Sequence, residues 1–149
     1  MKQWWFIILL IISFPLKAES FDCKGGWVLD NQSMGQMGSP YLLAHGLGVP
    51  VENASTVIRV ENGGKYRVWV RTRDWVKQWD QTASPGRFEL LLNGKALEVT
   101  FGTERAEWHW QDGGTICLKT GENQVELRDL TGFDGRCDAI FFTSALEML

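Results

Sequence analysis

Along most of this chain apolar and polar residues alternate one for one, the pattern of strands with one face on a core and the other on water. From Lys65 to Trp75, Tyr66, Val68 and Val70 fall on one face, and Arg67, Trp69, Arg71 and Arg73 on the other. Phe88, Leu90 and Leu92 share a face and lead into Asn93-Gly94, a two-residue hairpin signal, and the chain returns through Leu97, Val99 and Phe101. Thr56 to Val60, Ile116 with Leu118, and Val125 with Leu127 repeat the pattern, punctuated by Asn62-Gly63-Gly64 and Thr120-Gly121-Glu122-Asn123. Ala139 to Thr143 is apolar on both faces, which predicts a central strand covered on both sides. No segment carries a helical stripe. Gln32 to Leu47, rich in Gly and Met and containing Ser39-Pro40, reads as a long ordered loop. Eight or nine short strands with Gly-rich turns predict an all-β, jelly-roll-like β-sandwich.

The first eighteen residues read as an export signal: Met1-Lys2 is charged, Trp4 to Leu16 is mostly apolar, and Ala18 suits a cleavage site. The apolar run is short for a membrane span. The expectation is a secreted, periplasmic or cell-surface protein with one domain over residues 19–149, enough chain for one core. The net charge is −3, and becomes more negative without Lys2 and Lys17. That balance argues against nucleic acid and against an anionic membrane surface as partners. Export also favours one disulfide among Cys23, Cys117 and Cys137. Cys23–Cys137 is the first expectation, because end strands of jelly rolls often lie side by side; three reduced, buried thiols are the alternative. There is no CxxC, and the two His give no zinc signature.

Cofactor and nucleophile motifs are missing. Gly46-Leu47-Gly48 is followed by Val49-Pro50 rather than a helix, no Walker motif occurs, and Ser39 sits in no nucleophile elbow. His109, Glu107, Asp112, Asp129 and Asp134 offer acid–base groups, but such residues also hold sugar hydroxyls. The distinctive feature is Trp placed among polar residues: Trp75 and Trp79 in Asp74–Asp80, Trp108 and Trp110 in Glu107–Gly114. An indole in such a setting suits the flat C–H face of a sugar ring. The expected carbohydrate site has Trp75, Trp79, Trp108 and Trp110 stacking, with His109, Asp112, Arg73 and Asp74 on hydroxyls. Trp108 and Trp110 share a strand face opposite His109, and capping the core is the competing role. Trp69, between Arg67 and Arg71, suits either a solvated cation–π layer or a sugar platform. Asp129–Asp138 alternates Asp and Gly as tight turns do, a composition that also suits calcium.

At this point the sequence resembles a known family. Gly25–Asp30, Met37–Gly46, Tyr66–Trp75, Glu107–Gly114 and Asp129–Asp138 are similar to a β-sandwich domain attached to secreted FAD-dependent oxidoreductases. That domain is related to the carbohydrate-binding-like domain of golvesin and xanthan lyase, a galactose-binding-like fold. The resemblance spans about Glu19 to Thr143 and implies a noncatalytic module for polysaccharide or oligosaccharide. No flavin motif occurs in these residues, so it implies a module working alone, a truncated accessory domain, or a structural docking domain for a flavin-domain protein that binds no sugar itself. It also leaves Cys117 as the unpaired thiol. A weaker likeness, to calcium-containing jelly-roll modules, implies Glu19 and Asp138 around a structural calcium, the only cofactor expected.

Overall fold

The computed structural model describes residues 11–32 and 40–145 and pairs the alternating segments into two antiparallel sheets. The strands are β1 (Ser13–Lys17), β2 (Val28–Asp30), β3 (Tyr41–His45), β4 (Ala54–Val60) and β5 (Gly64–Thr72). They continue with β6 (Phe88–Leu92), β7 (Lys95–Ala96), β8 (His109–Leu118), β9 (Gly121–Asp129) and β10 (Phe133–Thr143). One sheet runs β2-β3-β10-β5-β8, with β1 also on β10; the other runs β4-β9-β6-β7. The only helical element among the described residues is one 3-10 turn, Ala18–Ser20. The jelly-roll β-sandwich expected from the alternation is the fold observed.

The core lies between the sheets, where each strand's apolar face is turned. Phe88 stacks on Phe101 at 5.7 Å and meets the edge of Trp27 at 5.6 Å. Val68, Val70, Leu90, Val125, Leu127 and Ile140 complete it, all fully buried. Burying a side chain of this size contributes about 1.5–3 kcal/mol. The predicted hairpin turn is present: Asn93 and Gly94 both have positive φ, 51° and 83°, which matches the twist of the paired strands. Its return limb is short. β7 is two residues, and the rest rejoins β6 through the Leu97 N–H, which donates to the Leu90 carbonyl, and a bridge between Phe101 and Phe88.

Three expectations change. Tyr41–His45, read as loop, is strand β3, because Tyr41, Leu42 and Ala44 bury against β10. Residues 33–39 of the same stretch lie outside the described residues. Glu107–Gly114, read as turn-rich, lies mostly in β8, and Gly113 is there for packing: a Cβ would stand 2.5 Å from Val68 Cγ1. The Cys23–Cys137 disulfide is not formed. Cys137 is buried in β10, whereas exposed Cys23 bridges to Ser55 of β4 in the opposite sheet.

Residues 1–10 of the expected leader lie outside the described residues, while its later part, Ser13–Lys17, is β1. The long edge of β10 is shared: β3 covers Phe133 to Cys137 and β1 covers Ala139 to Thr143. β10 is thus the central strand that its two-sided apolar pattern predicts.

Candidate functional site

Strand register assembles the site on the outer face of the larger sheet. Thr72 of β5 lies opposite His109 of β8 and opposite Cys137 of β10. Just past this end of the registers come Arg73 after Thr72, Trp108 before His109 and Arg136 before Cys137, with Arg136 near enough for its charge to act on Arg73. Arg136 pairs with Leu43 of β3, and Leu43 with Val28 of β2. The outer face therefore carries a row Trp108, Arg73, Arg136, Leu43, Val28. The next rows hold Trp110, Arg71 and Ala139, then Asp112, Trp69 and Phe141.

Loops close the row at its ends. Trp75 follows β5, donates its indole N–H to the Phe133 carbonyl at 3.1 Å, and lies under the Arg136 guanidinium at 5.4 Å. Trp79 meets the edge of Trp75 at 6.3 Å and is 71% exposed. At the other side Trp108 packs on the buried Tyr41 ring at 4.9 Å. Trp110 is half exposed, its ring edge-on to Phe141 at 6.1 Å. Neither Trp108 nor Trp110 joins the core between the sheets. Trp69 takes the cation–π role, 5.5 Å from the Arg67 guanidinium, but it is buried rather than solvated.

Of the expected site residues, the fold gathers Arg73, Trp75, Trp79, Trp108 and Trp110 on or beside this face. Asp112 is there too, but its carboxylate is bound by Arg67. That hydrogen bond, helped by the Gly114 N–H, holds Asp112 below the usual carboxylate range. His109 faces the other way, as alternation predicts: its Nδ1 lies 2.9 Å from the Glu107 carbonyl and its Nε2 3.4 Å from Glu104. Asp74 is fully buried and shapes its own loop, accepting from the Ser84 hydroxyl at 2.6 Å while its N–H donates to the Arg105 carbonyl. A group so enclosed orders the Trp75–Trp79 loop and does not reach a ligand on the surface. Asp80 does similar work further along, its carboxylate held low by the Thr82 hydroxyl.

The sequence reading missed Arg136, Tyr41 and Phe141. Arg136 lay in what looked like turn; the structure makes Asp129 the turn residue instead, accepting from the N–H groups of Val51, Thr131 and Gly132. Gly132, at φ 72°, lies so close to Val49 that a Cβ would stand 2.3 Å from its carbonyl oxygen.

Electrostatics single out the pair in the middle of the row. Among the described residues, Arg67 has Asp112 and Arg71 has Asp138 at 3.9 Å, but Arg73 and Arg136 have no carboxylate within 4 Å. Burial, then the charge of Arg136, lowers the Arg73 pKa from its ordinary value. The buried N–H groups Trp69 Nε1, Arg71 Nε, Arg73 Nε and Trp108 Nε1 find no acceptor in the protein. Native interiors rarely leave such donors unmatched. A groove of about 360 Å³ continues the row beyond Arg136, over Leu43, Val28 and Leu29, with the His45–Asp134 pair at its rim. A larger hollow of about 530 Å³ lies away from these residues, between β8 and residues 95–99.

Glu19 is exposed on the 3-10 turn and Asp138 is buried near Arg71. No group of three or more His, Cys, Asp or Glu suited to a metal is present among the described residues.

No protein-family model matches the chain, and no curated protein matches it in sequence. Solved structures do share its fold. A family 35 carbohydrate-binding module from Clostridium thermocellum superposes with a TM-score of 0.66 at 16% identity, covering 88% of this chain and 97% of that one. A CBM36-1 domain of a multidomain xylanase from the hindgut metagenome of Trinervitermes trinervoides gives 0.63 at 15%, covering 90% and 98%. The Podospora anserina GH26-CBM35 β-(1,4)-mannanase gives 0.69 at 19%, and this chain spans 28% of its length. The architecture is thus that of carbohydrate-binding modules of families 35 and 36.

Proposed function

We propose that this protein is an exported, noncatalytic module that binds polysaccharide on the outer face of its larger sheet. The observation that carries this reading is the row Trp108–Arg73–Arg136 with Trp75 folded against its end: flat apolar surfaces flanking hydrogen-bond donors. A pyranose offers apolar C–H faces for the indoles and a rim of oxygens for the donors. The fold shared with carbohydrate-binding modules supports the same role. Stacking and a few hydrogen bonds give weak single-site binding that multivalent attachment strengthens. The resemblance to the golvesin and xanthan lyase domain suggests service to a secreted FAD-dependent oxidoreductase, supplied by another chain or another part of the same one.

The test is a glycan array with the full chain, followed by titration of any hit against Trp fluorescence. A saturable hit with a spectral shift that Trp75→Ala and Trp108→Ala both weaken supports the reading. Binding that survives in both folded variants places the ligand elsewhere.

A docking role remains as a second reading because the loops beside the site expose apolar residues. Leu47, Val49, Leu130 and Phe133 are all solvent-facing. Hydrogen bonds from the Gly46 and Gly48 N–H groups to the Gly132 carbonyl tie their loops together. An exposed apolar patch of this kind suits a protein surface better than a sugar. Capture of a purified flavin-domain protein, lost in Leu47→Asp and Phe133→Ser, supports docking.

A further inference from the structure

We propose that β8 is an interface between two copies of this chain, which pair edge to edge and turn their outer faces the same way. β8 closes the larger sheet and pairs with β5, and among the described residues no strand covers its other edge. A free edge offers a row of N–H and C=O groups to a second strand. The first half of β8 is shielded. There the Gln111 side chain accepts from the Gly102 N–H and donates to the Thr100 carbonyl, which ties residues 100–102 to the strand. The second half has no such cover. Beyond the register shift at Gly113, residues 114–118 pair regularly with residues 64–68 of β5. They hold no charge and no Pro, the usual guards against another strand.

The hollow of about 530 Å³ lies along this same half, between residues 113–117 and residues 95–99 at the edge of the smaller sheet. Its origin is a mismatch of lengths. The Leu97 N–H donates to the Leu90 carbonyl and Phe101 bridges to Phe88, so four steps of chain answer two of β6, and residues 98–100 stand outside the ladder. Leu92, Leu97, Val99 and Ile116 line the opening, apolar surface that an added strand takes out of water. The rim selects the occupant. Lys95 and Glu98 stand on it with opposite charges, and among the described residues neither forms a salt bridge. A two-fold axis through the hollow, normal to the sheets, brings Lys95 of one copy to Glu98 of the other, and the reverse, as a self-complementary interface requires. The same axis sets the two β8 strands antiparallel and continues the larger sheet from one copy into the next. Rotation about a normal does not exchange the faces of a sheet. The rows of Trp108, Arg73 and Arg136 therefore lie on one side of the dimer, where two weak sites can engage one polysaccharide together. The dimer stands independently of the carbohydrate reading; this gain in avidity rests on it.

The test is sedimentation of the full chain over a range of concentrations, in reductant so that Cys23 and Cys117 form no cross-link. Expected is a reversible monomer–dimer equilibrium. Lys95→Glu and Glu98→Lys each weaken it on the order of tenfold, and the double variant Lys95→Glu/Glu98→Lys recovers it by restoring opposite charges across the axis. Thr115→Lys, at an exposed position in the open half of β8, sets like charges against each other and leaves monomer. Circular dichroism confirms that each variant is folded. In the native protein, amide exchange over residues 114–118 slows as concentration rises, a readout that needs no variant. On the glycan array the native chain binds immobilised polysaccharide more tightly than Thr115→Lys, while both bind a soluble oligosaccharide equally. A monomer at every concentration overturns the second copy as occupant of this edge. A dimer that ignores the charge swaps and Thr115→Lys overturns the assigned interface. Equal binding of immobilised polysaccharide by the dimer and by Thr115→Lys overturns the same-side arrangement of the sites. Failure of folded protein to bind any glycan overturns the carbohydrate reading and the avidity drawn from it, while sedimentation still decides the dimer.

Discussion

Phe14 of β1 stacks on Phe142 of β10, ring centroids 5.1 Å apart and planes inclined by 26°. Phe14 also meets the edge of Tyr66 at 5.9 Å, so it seals one end of the core. Below it, Leu16 is buried opposite Ile140. The residues concerned are those that the leader pattern would remove.

A chain beginning at Glu19 lacks β1 and leaves half of one β10 edge unpaired. It is expected to melt clearly lower than a chain beginning at Ile11, because it loses Phe14, Leu16 and five residues of pairing. Losing a buried Leu such as Leu16 alone typically costs about 2–5 kcal/mol. Thermal denaturation of the two chains decides this. Equal melting temperatures would mean that β1 is not part of the stable sheet.

Asp74 and Trp75 are neighbours in sequence with different duties, and their alanine variants separate them. Asp74→Ala removes the acceptor of the Ser84 hydroxyl and the carboxylate near Lys77, and is expected to destabilise by about 1–3 kcal/mol. Glycan binding then weakens because the loop bearing Trp75 loosens. Trp79→Ala changes a largely exposed ring and should shift stability by no more than about 0.5 kcal/mol while weakening binding. Calorimetric unfolding beside glycan titration checks both.

The Arg67–Asp112 pair predicts a pH signature. Asp112 titrates lower folded than unfolded, so its contribution is complete above the unfolded carboxylate value, roughly pH 4, and is lost as pH falls through the lower folded value. The wild-type protein should melt above Asp112→Asn at neutral pH, with the gap closing below roughly pH 4. A gap that persists unchanged at pH 2 would refute this account of the pair.

Thiol chemistry follows from placement. Cys23 and Cys117 are exposed, while Cys137 is buried and its thiol is pushed upward, chiefly by burial. A maleimide reagent should label the first two in native protein and the third only after unfolding, since the thiolate is the nucleophile. Mass spectrometry of labelled peptides reads this directly. Labelling of Cys137 without unfolding would show that β10 opens.

The core gives the sharpest stability forecast. Phe88 is fully buried between Phe101 and Trp27. Phe88→Ala should cost about 3–5 kcal/mol in chemical denaturation, and a cost below about 1 kcal/mol would mean that the sheets close over the gap.

The local pattern alone determined a good deal. Alternation placed β4, β5, β6 and β9, and the Asn93-Gly94 turn declared its hairpin, because period two and positive φ are properties of a few adjacent residues. It also marked the Trp-bearing segments, since an indole among Asp, Gln and His is conspicuous without any fold. Alternation put Trp110 on the face opposite His109. Tertiary structure decided who stands beside whom. Nothing near Arg136 in sequence points to Arg73; the pairing of β10 with β5 does. The same pairing scheme drew Ser13–Lys17 into a sheet, made Tyr41–His45 a strand, and put Cys23 and Cys137 in different surroundings. Sheet neighbours are chosen by burial and hydrogen bonding across long stretches of chain, and a local pattern carries no record of that choice.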